Sequence, residues 1–180
     1  MTINEEYNEE HITIETKDNW TLFDFEDFIH VINNIYYTLY VFNDILMKID
    51  NGVKDKNNYI IESLKNKEIS LHFCIKNKLY RISEKELLKI NKIYMASPGE
   101  TIFSGIAKII YQIREIIKDI YYRNKYEKII CELKIIEEIT ERLKNLSFSE
   151  NDLAKIKLDL NCDLTTLIKF QEKKIINILV

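Results

Sequence analysis

From Ile106 to Val180 the chain contains neither a glycine nor a proline. Backbone without them has few ways to make left-handed turns or sharp breaks, so long helices are its natural outcome. The three glycines (Gly52, Gly99, Gly105) and the single proline (Pro98) all precede this stretch in a chain of 180 residues. Average usage would supply about a dozen glycines and about nine prolines at this length. Collagen-like, proline-rich and flexible-linker classes are therefore excluded. So are many-stranded sandwiches and the glycine-rich loops that cradle dinucleotides and phosphates.

Within that stretch isoleucine sets the pattern. Ile106, Ile109, Ile110, Ile113, Ile116, Ile117 and Ile120 recur at three- and four-residue steps, and Lys108, Gln112, Glu115, Lys118 and Asp119 fall largely opposite them. The stripe resumes with Ile129, Ile130, Leu133, Ile136, Ile139, Leu143 and Leu146, with Thr140 beside it. Arg123-Asn124-Lys125 is the weak point between the two parts. No glycine marks a turn there, so 101–147 reads as one helix of about 70 Å, with a helical hairpin as the alternative. Such a seam must be buried against other helices of the chain or against a second copy. The predicted interaction seam is Ile106, Ile110, Ile113, Ile117, Ile120, Ile129, Leu133 and Ile136, in a coiled-coil-like spacing.

The first half is more mixed. His11 to Glu15 alternates, with Ile12 and Ile14 on one face, which suits a short strand. A helical pattern then runs from Leu22 to about Ile49. Thr21 is its natural N-cap, Asp24 an acid in its first turn, and Gly52 its left-handed end. Tyr59, Ile60, Ile61 and Leu64 suggest a short helix. Ile69, Leu71, Phe73 and Ile75 alternate with polar residues and predict a strand, turning at Asn77 to return along Leu79–Ile82. Leu88 to Met95 predicts another strand, but its apolar positions change phase between 90 and 93, so a bulge is needed near Asn91.

Ser97-Pro98-Gly99-Glu100-Thr101 reads as a strand-to-helix connector with capping groups. Ser149-Glu150-Asn151-Asp152 starts a further helix. Asn161–Asp163 is expected to divide it, and Leu164, Leu167, Ile168, Ile175 and Ile176 carry the last one. The predicted class is α+β and predominantly helical. A small antiparallel sheet and a long N-terminal helix (1–97) precede an extended all-helical half (98–180), packed as one unit.

Charge narrows the function. Residues 1–30 hold nine acids against Lys17, a net of −8, so the rest sums to +5 under the total of −3. That balance argues against a dedicated nucleic-acid binder, since such a protein concentrates basic charge on one face. Cys74, Cys131 and Cys162 are widely spaced, which disfavours a disulfide or zinc framework. The apolar window Phe28–Met47 carries His30, Asn33, Asn34, Asn43 and Asp44, too many polar groups for a membrane span. No signal peptide is visible. A cytoplasmic location is expected.

Each candidate for chemistry has a plainer explanation. His72 and Cys74 would share the polar face of a strand, but two side chains are not a site. His30 suits a satisfied, partly buried imidazole on the first long helix. Asp24, Glu26 and Asp27 fit dipole complementarity in a first turn. Ser97–Thr101 lacks a P-loop's Gly-Lys-Ser/Thr. Tyr121-Tyr122-Arg123-Asn124-Lys125-Tyr126 mixes aromatic and basic groups around a helix rather than along a strip. The expectation is a non-catalytic interaction or oligomerisation component of a larger bacterial assembly, regulatory or defence system, without metal or cofactor. The alternatives are a small hydrolase or nuclease-like effector using His72/Cys74 or the 24–27 acids, and a nucleic-acid-associated protein.

Overall fold

The helix expected after Thr21 is the axis of the molecule. In the computed structural model, which describes residues 9–16, 20–52, 57–94, 99–122, 134–146, 148–173 and 175–179, α1 spans Leu22–Asn51. Thr21 Oγ1 accepts from the Asp24 amide (3.1 Å), and the Asp24 carboxylate accepts from the Thr21 amide (2.9 Å), closing a capping box. Gly52 ends the helix at φ 62°. From Ile35 to Phe42 every residue is buried, so the middle of α1 is covered on all sides. Each fully buried Ile, Leu or Phe there stabilises the fold by about 1.5–3 kcal/mol.

Four strands form one antiparallel sheet in the order β2-β3-β1-β4: β1 (Glu9–Thr16), β2 (Lys89–Tyr94), β3 (Gly99–Ile106) and β4 (Ile175–Leu179). Ile12 and Ile14 of β1 pair with Phe103 and Thr101 of β3, and these four residues form the buried face against α1. Phe28 of α1 meets Phe103 edge to face, with ring centroids 6.1 Å apart. The shift of register between Ile90 and Lys92 is the bulge that the phase change around Asn91 predicts. Every strand pairing joins a strand before Pro98 to one after it, and the buried residues make one core.

Three expected elements are corrected. Residues 69–75 are not a strand: α3 (Leu71–Lys76) is a short helix whose N-cap, Ser70, accepts from the Phe73 amide. The helix does not bury the alternating set: Leu71 and Cys74, one turn apart, face the core and Phe73 is 53% exposed. The decisive groups are the local cap and Asp152, whose carboxylate accepts a hydrogen bond from the Leu71 amide (2.8 Å). The expected return strand Leu79–Ile82 is a loop. Gly99–Ile106 is strand β3 rather than the start of a helix, because β1 and β2 flank it and its 101/103 alternation faces the core. Helix α4 begins at Ala107 and runs to Tyr122. Ser97 and Pro98 lie outside the described residues.

Asn161–Asp163 does not divide α6 (Glu150–Lys173). Leu153, Ile156, Leu160, Leu164 and Leu167 keep one buried stripe through it, so nothing favours a break. The chain end is β4 rather than helix, as its β-branched run suits a strand. The second half therefore supplies two strands as well as helices. Helix α2 (Asn58–Lys65) forms where expected.

Helices α4 and α5 (Lys134–Asn145) cannot belong to one straight rod. Gln112 of α4 contacts Asn43 of α1 (2.9 Å), and Arg142 of α5 contacts Asp50 (2.7 Å). Asn43 and Asp50 are about 10 Å apart along α1, whereas a straight helix from 112 to 142 would span about 45 Å. The expected single 101–147 helix is therefore corrected at both ends of the described part. Its junction, residues 123–133, lies outside the described residues.

A buried polar cluster fixes the loop after α3 to α1. The Tyr80 hydroxyl donates to the Asp44 carboxylate (2.6 Å), which also pairs with Lys48, and Lys48 lies over the Tyr80 ring. The Tyr37 hydroxyl donates to the Tyr80 carbonyl (2.8 Å), and Asn57 exchanges hydrogen bonds with the Arg81 backbone. All three members of the central cluster are at least nine-tenths buried.

Candidate interaction surface

Strand β2 is an edge of the sheet, and all six of its residues are exposed. Its register places Ile90 opposite Phe103 and Ile93 opposite Thr101, so both isoleucines point to the side that α1 covers elsewhere. There the helical layer stops short. Ile90 and Ile93 remain 40% and 44% exposed, whereas Phe103 and Thr101 on the next strand are buried. Leu87 just before the strand and Tyr94 at its end are exposed too.

The polar side chains of β2 fold inward across the sheet's other face. Lys89 reaches over β3 to Glu9 of β1 (3.3 Å), and Lys92 pairs with Glu100 of β3 (3.2 Å). The Ser104 hydroxyl donates to Glu9 (2.7 Å) and lies 3.1 Å from Asn91 Oδ1. These groups close over Ser104, which is fully buried on an otherwise open face. The hydrogen bond from Ser104, helped by Lys89, holds the Glu9 carboxyl below its ordinary value.

Tyr36 of α1 positions this edge. Its hydroxyl donates to the Glu86 carbonyl before β2 (2.6 Å) and accepts from the Ile106 amide at the end of β3 (3.1 Å). Burial pushes the phenol up to about 12, so it stays protonated and able to donate.

The predicted seam lies elsewhere. Ile110, Ile113, Ile117 and Ile136 are buried within the chain's own core, and Ile106 packs against it. Their burial needs no second copy. The side chains of Ile120, Ile129 and Leu133 lie outside the described part. The phase change at Asn91 signals the bulge in the sequence, but the exposure of the edge depends on where the helical layer ends.

The candidates for chemistry are dispersed. His72 and Cys74 sit on helix α3, not on a strand face. His72 Nε2 meets Asp159 Oδ2 of α6 at 2.9 Å, while Cys74 is fully buried and its thiol is pushed up to about 11. Such a thiol is not a nucleophile near neutral pH. His30 is exposed rather than partly buried and lies 3.1 Å from Asn34. Asp24 is engaged in the cap, and Glu26 and Asp27 are exposed. Arg123–Tyr126 lies outside the described residues. Among the described residues no group of three His, Cys, Asp or Glu side chains is arranged to hold a metal ion, and no helix is long and apolar enough to cross a membrane.

Comparison with protein-family models, with curated proteins and with solved structures finds no match to this chain.

Proposed function

We propose that the chain is a non-catalytic interaction protein that docks a polypeptide strand along β2, as a cytoplasmic component of a larger assembly. The observation that carries this reading is the overhang of β2. Its backbone edge is open, its two isoleucines are half-exposed on the core side, and its lysines are drawn inward by Glu9 and Glu100. Charged side chains on an edge deter a further strand, and here Lys89 and Lys92 stay about half exposed while paired with Glu9 and Glu100 of the same sheet. An added strand would gain main-chain hydrogen bonds and cover Ile90 and Ile93 together.

The test is photo-crosslinking in the native cell from a probe at Ile93, with Leu158 of α6, which is 63% exposed, as the comparison position. A discrete polypeptide adduct from position 93 and none from 158 supports the reading. Adducts from 158 alone, or from neither position, overturn it.

A further inference from the structure

We infer that residues 67–78, which carry α3, form a hinged flap that opens as a unit from α1 and α6 while the rest of the chain stays folded. The hinges are Lys67 (φ 60°) and Lys78 (φ 51°), the only residues other than glycine in the left-handed region among the described residues. A side chain makes that conformation costly, and such strain persists only where neighbouring structure enforces it. Fixed points lie just outside both hinges. Before Lys67, α2 buries Ile61, Ser63 and Leu64. After Lys78, Tyr80 is buried, with its hydroxyl bonded to Asp44 and its carbonyl to the Tyr37 hydroxyl.

Between the hinges little holds the segment down. Helix α3 has six residues, too few to persist by itself. Within 67–78 only Leu71 and Cys74 are buried, Ile69 and Ile75 are partly so, and Phe73 faces solvent. The ties to α6 are polar: Asp152 accepts from the Leu71 amide (2.8 Å), and His72 Nε2 meets Asp159 Oδ2 (2.9 Å). Partly exposed bonds of this kind contribute little each. Strain at both ends and few buried groups between them put the cost of opening below that of global unfolding. Opened, the flap uncovers the side of α1 that carries Tyr37 and exposes the Cys74 thiol, which is fully enclosed in the closed form.

The test uses the full chain with Cys131→Ser and Cys162→Ser, so that a thiol reagent reports Cys74 alone. Its labelling rate is measured without denaturant and in low urea, and global stability by urea unfolding. The expected result is labelling many-fold faster than global unfolding allows, with little dependence on urea because local opening exposes little surface. Lys67→Gly, which removes the strain, should slow labelling about fivefold. Lys67 is the cleaner hinge to change, since Lys78 also lies over the Tyr37 ring. Asp152→Ala, which cuts a tie to α6, should speed labelling about tenfold. Ile110→Val in the buried face of α4, outside the flap, should lower the urea midpoint and leave labelling unchanged. Labelling that tracks global unfolding, with Ile110→Val speeding it, would overturn the inference. So would labelling that Lys67→Gly fails to slow or Asp152→Ala fails to speed.

Discussion

The ring of Tyr36 occupies the space in which any side chain at position 105 would have to sit. A Cβ on Gly105 would lie 2.7 Å from Tyr36 Cε2 and 2.8 Å from its hydroxyl oxygen. Gly105 is thus required by close approach rather than by a left-handed backbone. Gly105→Ala is expected to cost about 1–3 kcal/mol through overpacking. Tyr36→Phe is expected to cost a similar amount, about 1–3 kcal/mol, by leaving the Glu86 carbonyl and Ile106 amide without their partner. Urea unfolding checks both. If Gly105→Ala unfolds at the wild-type midpoint, the ring does not hold this place in solution.

The Asp44–Lys48–Tyr80 cluster predicts a non-additive pair of variants. Lys48→Met alone leaves the Asp44 carboxylate buried with its cationic partner gone, a change costing about 3–5 kcal/mol. Adding Asp44→Leu removes the stranded charge and should recover much of that loss. A double-variant cycle by denaturant unfolding measures this. Simple additivity of the two losses would show that the pair is not coupled in the folded state.

Asp163 on α6 predicts how stability varies with pH. Burial raises its carboxyl above the ordinary 3.8, although the charge of His30 and a hydrogen bond from Asn34 on α1 pull the other way. The folded chain therefore keeps this proton to higher pH than the unfolded chain. The stabilisation is complete below the unfolded value and is lost as pH rises through the folded one. Asp163→Asn should then be more stable than the wild type near neutral pH, with the difference shrinking under acid. Unfolding at both pH values decides it. A less stable variant near neutral pH would mean that the Asn34 hydrogen bond and the His30 charge outweigh burial.

Local signals were legible where a few adjacent residues determine the outcome. Thr21, Asp24 and Gly52 mark the ends of α1, Ile12 and Ile14 the inner face of β1, and the change of phase at Asn91 the bulge. The failures arise where distant partners decide. Residues 69–75 become a helix because Asp152, far along the chain, caps Leu71. Gly99–Ile106 becomes a strand because β1 and β2 flank it. The isoleucine stripe marks a surface to be buried, but periodicity does not say what buries it, and α4 packs it inside the chain. The exposure of β2 depends on where the helical layer ends, which no local pattern encodes.

Strand β2 is the edge proposed to be bound. Amide hydrogen exchange of residues 87–94 tests it most directly, comparing the purified chain at low concentration with the same chain in native cytosol extract. The outward-facing amides of an open edge exchange quickly. Slowed exchange in 87–94 is expected in the extract, with loss of that slowing in Ile93→Lys. Slowing confined to other surfaces, such as α3 around Phe73 or α6 around Leu158, would contradict it, as would no change in β2.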